Sequence, residues 1–209
     1  MKKKKIRKLY YKFILEHQCP PPKLKSFLRF AHLTKDEFYE KYKSLRDVEL
    51  DIWKHGLNDV LSHLGASPEF MSYKQRDRGL AFMYSWFEFM DENSSYFKNC
   101  SSLDSSDFMY GSNDFKKLLK CFMNKLLKEG MACQEFKDRG MNNKHMCDFF
   151  TGLFFMNLKQ WGKCDGKKNH KQEEYMDALI EKSMIFFFDT LAPNLFDTFI
   201  DLMKHRRSK

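Results

Sequence analysis

A chain of 209 residues with 43% apolar side chains can bury a sizeable core, and only nine Gly and five Pro leave room for long helices. That balance excludes a disordered chain, and no apolar run approaches the roughly 20 residues of a membrane span. The formal charge of +9 is concentrated at the amino terminus, where residues 1–12 carry seven Lys or Arg and no acid.

The first predicted helix runs from about Lys3 to His17, with Ile6, Leu9, Tyr10 and Phe13 on its inner face. Its cations, Lys3, Lys4, Lys5 and Arg7 among them, suit the phosphates of double-stranded DNA. An anionic membrane surface, or simple solvation of a frayed tail, accounts for them equally in kind. Cys19-Pro20-Pro21-Pro22 breaks this helix. Lys23 and Lys25 then open a short second helix on Leu24, Phe27, Leu28 and Ala31. After the turn at Ala31-His32-Leu33, Thr34 and Glu37 stand at the spacing of a capping box and start a third, short helix. Three short helices with a tight turn between the second and third form the helix-turn-helix pattern.

These residues carry a family resemblance. Ala31, His32, Leu33 and Thr34, followed by Asp36, Glu37, Phe38, Tyr39 and Tyr42, then Ser44 and Leu45, resemble the end of the DNA-binding domain in the TetR family of bacterial transcriptional regulators. The resemblance covers about the first quarter of the chain. It implies an all-α fold of nine to ten helices, with a helix-turn-helix head over 1–53 and a linking helix continuing to about 64. Residues 65–209 would then form a helical ligand and dimerisation domain. It further implies that the third helix enters the major groove, with Lys23, Lys25, Thr34, Lys35, Tyr39 and Lys43 joining the arm on DNA. Two departures matter. The family's turn glycine is His32, and its phosphate-contacting Lys is Leu45. The third helix also carries Asp36, Glu37 and Glu40, and no Arg, Asn or Gln lies in 35–43 to read a base edge bidentately.

Helix four is expected from Ser44 to about Leu64, with Val48, Ile52, Leu57, Val60, Leu61 and Leu64 inward and Gly65-Ala66-Ser67-Pro68 as its stop. A long helix over Tyr73–Asn93 follows, with Leu80, Met83, Tyr84, Phe87 and Met90 on one side. The polar stretch Asn99–Asn113 reads as a loop or lid. Phe115, Leu118, Leu119, Phe122 and Leu126 mark another helix closed by Gly130, and Met146 to Leu158 marks the next, with Phe149 facing inward. After a loop from Gly162 to His170, the last two helices are expected over Glu173–Leu191 and Pro193 to about His205. With 22 Phe and 13 Met the interior is bulky and adaptable. Tyr84, Phe87, Phe122, Phe150 and Phe154 are candidates to line a pocket for a small apolar effector, or else plain core. Apolar groups surround the Ile185–Phe188 turn, and Phe196, Phe199, Ile200 and Met203 repeat at helical spacing. Together with Phe187 they are candidates for a two-fold interface, which the resemblance places in the last two helices of a homodimer.

No Gly-rich phosphate loop, GxSxG elbow or HExxH occurs, so nothing points to an enzyme or a cofactor. His145 and Cys147, or Cys164, Asp165 and His170, fall short of a metal site, and none is assigned. The six scattered Cys lack a CxxC pair and no signal-peptide core follows the arm, which reads as reduced thiols in a cytoplasmic protein. Two functions remain open: a DNA-binding regulator governed by an apolar effector, or a TetR-fold protein that has lost specific DNA reading and binds lipid or a protein partner.

Overall fold

Backbone punctuation sets the first three helices. α1 (Lys3–His17) ends on Gln18, which adopts the left-handed conformation at φ 54° and donates its amide to the Ile14 carbonyl. α2 (Leu24–Ala31) ends the same way on His32 at φ 51°, so a histidine occupies the position where glycine is usual. α3 (Lys35–Tyr39) starts on the complete capping box: Thr34 Oγ1 accepts from the Glu37 amide, and Glu37 Oε2 accepts from the Thr34 amide at 3.0 Å. Phe27 and Phe38 are fully buried, and Phe13, Phe27 and Phe38 form a chain of edge-to-face rings joining α1, α2 and α3.

The computed structural model describes residues 2–100, 112–137, 143–164 and 170–192. Among these residues there are ten helices and no strand. α4 (Leu45–Ala66) is capped by Ser44, whose hydroxyl accepts from the Asp47 amide. It runs past the expected stop, because Gly65 and Ala66 complete its last turn. Ser67 then caps a one-turn helix, α5 (Pro68–Ser72), with proline in its first turn. α6 (Gln75–Glu92), α7 (Ser94–Phe97), α8 (Asn113–Ala132), α9 (Asn143–Lys163) and α10 (His170–Asp189) complete the described fold. None of the described helices is long and apolar enough to cross a membrane.

One continuous core runs from Ile6 in α1 to Leu191 after α10. Its centre is aromatic: Trp53 of α4, Trp86 of α6, Phe97 of α7, Phe115 of α8 and Phe154 of α9 are each at most 1% exposed. Most inward assignments on α4 and α6 hold, with Val48, Leu57, Val60, Leu64, Met83, Phe87 and Met90 buried. Trp53, Trp86 and Phe82 fill the interior, whereas Ile52, Leu61, Leu80 and Tyr84 are only half-buried. Phe149 lies at the surface rather than inside. These helices carry apolar groups on more than one side, so periodicity alone left their rotation ambiguous.

Gly130 does not end its helix. It lies within α8, where a Cβ would stand 2.2 Å from the Phe136 ring that folds over it, and Phe136 donates its amide to the Gly130 carbonyl. The glycine marks a close approach. A second long-range device closes the start of α6: the Glu135 carboxylate accepts from the amides of Gln75 and Arg76, both at 2.9 Å. It neutralises the exposed amides of a helix start with a charge from 59–60 residues away.

Candidate nucleic-acid interface and effector region

The capping box decides which way the third helix turns its acids. Glu37 Oε2 is held by both the amide and the hydroxyl of Thr34, and the amide bond first keeps this carboxyl below its ordinary value. Glu40 pairs with the neighbouring Lys41 at 2.5 Å, and that bond likewise holds its carboxyl down. Both acids are therefore answered locally and remain charged. Among the described residues, Asp36 in the first turn has no such side-chain partner. Thr34, assigned to DNA, spends its hydroxyl on the cap.

Around α3 the candidate cations are outward. Lys23, Lys25, Lys35 and Lys43 are exposed, and Tyr39 is 53% exposed. Phe38 and Tyr42 instead turn inward, at 0% and 4% exposure. Tyr39 thus belongs to the surface, while Phe38 and Tyr42 hold the first helices together from inside. On α1, Lys3, Lys4 and Lys5 are exposed, with the Lys3 ammonium 5.0 Å from the centre of the Tyr42 ring.

Arg7 is the exception in this set. Its Nη1 donates to Asp51 Oδ2 at 2.8 Å, and Tyr42 Oη donates to the same oxygen at 2.6 Å. Arg7 is therefore a latch between α1 and α4 rather than a free phosphate contact, a role set by a partner 44 residues away. Burial would push the Asp51 carboxyl up, but the bonds from Tyr42 and Arg7 outweigh it and hold it below the ordinary value. Burial and the Asp51 bond together push the Tyr42 phenol up, so it stays a donor. Because the folded value of Asp51 is depressed, its stabilisation is present above the unfolded carboxyl value near 4 and is lost as pH falls through the folded value. Asp51→Ala is expected to cost about 2 kcal/mol at pH 7, since Arg7 and Tyr42 lose their acceptor. Urea midpoints should show that loss shrinking toward pH 3. An equal loss at both pH values would remove the charge from the account.

No curated protein matches the chain. Residues 78–205 match the family described as Tetracyclin repressor-like, C-terminal domain, which is more than half of the sequence. This chain belongs to the TetR family. Similar solved structures are transcriptional regulators of distant sequence. A TetR-family transcriptional regulator from Syntrophomonas wolfei gives a TM-score of 0.67 at 13% identity, covering 92% of this chain and 97% of that one. FadR from Bacillus halodurans, a fatty acid degradation regulator, gives 0.65 at 12% identity over 89% and 94%. FadR from Bacillus subtilis, solved in complex with stearoyl-CoA, gives 0.62 at 14% identity over 90% and 98%. At such identities the likeness is one of fold. The family is one of transcriptional regulators.

In this TetR-family chain four of the five candidate pocket residues, Phe87, Phe122, Phe150 and Phe154, fall around one aromatic region. Phe82, absent from the sequence-based set, has its ring centre 4.6 Å from Phe122, 6.5 Å from Phe150 and 6.3 Å from Phe154, while Phe87 lies 6.3 Å from Phe154. Phe87, Phe150 and Phe154 are buried, and Tyr84 and Phe122 are half-buried at the edge. The candidate interface residue Phe187 corrects differently. It is 0% exposed and packs on Phe149, Phe150 and Phe188 inside its own chain. The outward side of that turn is Ile185 and Phe186, the latter 58% exposed and edge-on to Phe149. Phe196, Phe199, Ile200 and Met203 lie outside the described residues. His145 faces outward while Cys147 is buried, so these two cannot share a metal.

Proposed function

We propose that this chain is a homodimeric, DNA-binding transcriptional regulator whose head, residues 1–53, contacts duplex DNA and whose body, residues 65–209, binds a small apolar effector and pairs with a second copy. One observation carries the reading: the α2–α3 unit turns Phe27 and Phe38 inward and leaves Lys23, Lys25, Lys35, Tyr39 and Lys43 together outside. The ion pair of Glu40 with Lys41 supports it, because it offsets part of the repulsion a phosphate would meet at α3. The exposed Phe149, Met156, Ile185 and Phe186 on α9 and α10 offer the apolar surface that pairing needs. The Bacillus subtilis FadR complex with stearoyl-CoA supports an effector with a long apolar part, and a soft Phe and Met interior could open around one. The effector would act by binding one separation of the two heads better than the other.

A salt titration on operator-containing and random duplexes tests this. Footprintable binding that survives physiological salt is expected, and replacing Lys3, Lys4 and Lys5 by alanine should reduce the log–log salt slope by about 3 per head. Asp36 in the first turn and the lack of Arg, Asn or Gln along α3 favour the other reading, in which the fold binds lipid or a protein partner. Binding that disappears with salt and prefers no duplex would select that one.

A further inference from the structure

A groove of about 460 Å³ lies on the seam between the first helix and the body, outside both the α3 surface and the aromatic interior. It is walled by two helical stripes of identical spacing. Lys4, Arg7, Lys8 and Tyr11 of α1 stand at i, i+3, i+4, i+7 and face Ile52, His55, Gly56 and Asp59 of α4 in the same pattern. Phe89 and Phe97 form its aromatic floor, their ring centres 5.7 Å apart. Gly56 is what lets that floor lie so close: a Cβ there would stand 2.7 Å from the Phe89 ring. The wall is pinned, because Tyr11 stacks on Tyr96 at 4.6 Å and donates to Asn93 Oδ1 at 2.8 Å.

The charges around this apolar floor are unbalanced. Arg7 is already answered by Asp51, but no ion-pair partner is recorded for Lys4 or Lys8 among the described residues. Asp59 is the single carboxylate on the walls. Two free ammonium groups beside three rings form a complement for a compact ligand that is flat and apolar at one end and anionic at the other. The volume lies within the range of small-molecule sites.

We propose that this groove binds a small aromatic carboxylate, its ring on the half-buried Phe89 and Tyr11 and its carboxylate between Lys4 and Lys8. This site is separate from the interior proposed for an apolar effector, and it does not depend on the chain reading DNA. Occupancy would hold α1 against α4 and withdraw Lys4 from phosphate, so ligand and DNA would oppose one another.

The test uses the full chain without DNA, titrated with 2-naphthoate by calorimetry and followed by amide NMR. One saturable site per chain is expected, with shifts concentrated in residues 4–11 and 52–59. The double variant K4E/K8E should weaken binding at least tenfold while keeping the wild-type melting curve, and the neutral 2-naphthylmethanol should bind at least tenfold more weakly than the acid. K5E/K12E, which makes the same change in net charge on α1 outside the groove, should leave affinity within about twofold. Equal weakening by both double variants, shifts centred on Phe87 and Phe154, or no saturation would each overturn the proposal. Absence of DNA binding would leave this result untouched, so the two readings fail separately.

Discussion

Phe38→Ala is expected to unpack the first three helices at a cost of about 3–5 kcal/mol, the range for removing a fully buried phenyl ring. α3 has five residues, too few to persist without tertiary support. Its attachment is the Phe38 ring, 6.1 Å from Phe27 and 6.2 Å from Tyr42 at the ring centres. Loss of that ring should free α3, and with it the backbone turn that His32 holds in a left-handed conformation. Amide hydrogen exchange should therefore rise across residues 24–42 more than across α8 and α9. Phe38→Leu, which keeps most of the apolar volume, should cost under about half as much. Uniform exchange across the chain in Phe38→Ala would instead mean that the first three helices and the rest unfold as one unit.

Trp53→Ala should be at least as damaging, at about 3–5 kcal/mol, but its effect should spread through the whole fold. Trp53 is 0% exposed and meets Trp86 at 6.1 Å, Phe97 at 4.6 Å and Phe115 at 6.1 Å, so one side chain touches α6, α7 and α8 from α4. Aromatic side chains of this size leave a void that neighbouring helices cannot close without moving. A single cooperative denaturation with a much lower midpoint is expected. Trp161, whose indole donates to Asp91 at 2.6 Å at another edge of the fold, supplies a fluorescent reporter that the substitution leaves in place. A change confined to residues near α4, with the midpoint unmoved, would contradict the central position given to Trp53.

The first three helices were readable because their signals are local. A capping box needs residues three apart, a serine cap needs the residue before the helix, and three consecutive prolines end a helix whatever lies nearby. Thr34, Glu37, Ser44 and His32 behave as their neighbours in sequence require. The candidate cations around α3 are outward for a similar reason, since lysine is seldom buried without a partner. Arg7 escaped this reasoning because its fate depended on Asp51, one helix face and 44 residues away. The body was harder to orient. In α4 and α6, where Trp, Phe, Leu and Met occupy several faces, the apolar pattern says that a helix is buried but not about which axis it is turned. Phe82, Trp86 and Trp53 took the interior because their ring surfaces exceed those of Ile52, Leu61 and Leu80, and none carries the phenol that draws Tyr84 toward water.

Local sequence was enough for an all-α chain, the starts of α3 and α4, a basic first helix and the TetR resemblance, all carried by interactions within a few residues or by composition. Tertiary structure alone decided that Arg7 latches rather than reaches out, that Phe187 faces inward while Phe186 faces out, that Glu135 caps α6, and that two cationic and apolar stripes meet in a groove. Each of those outcomes joins residues distant in the chain, and their meeting is fixed only when the helices have packed.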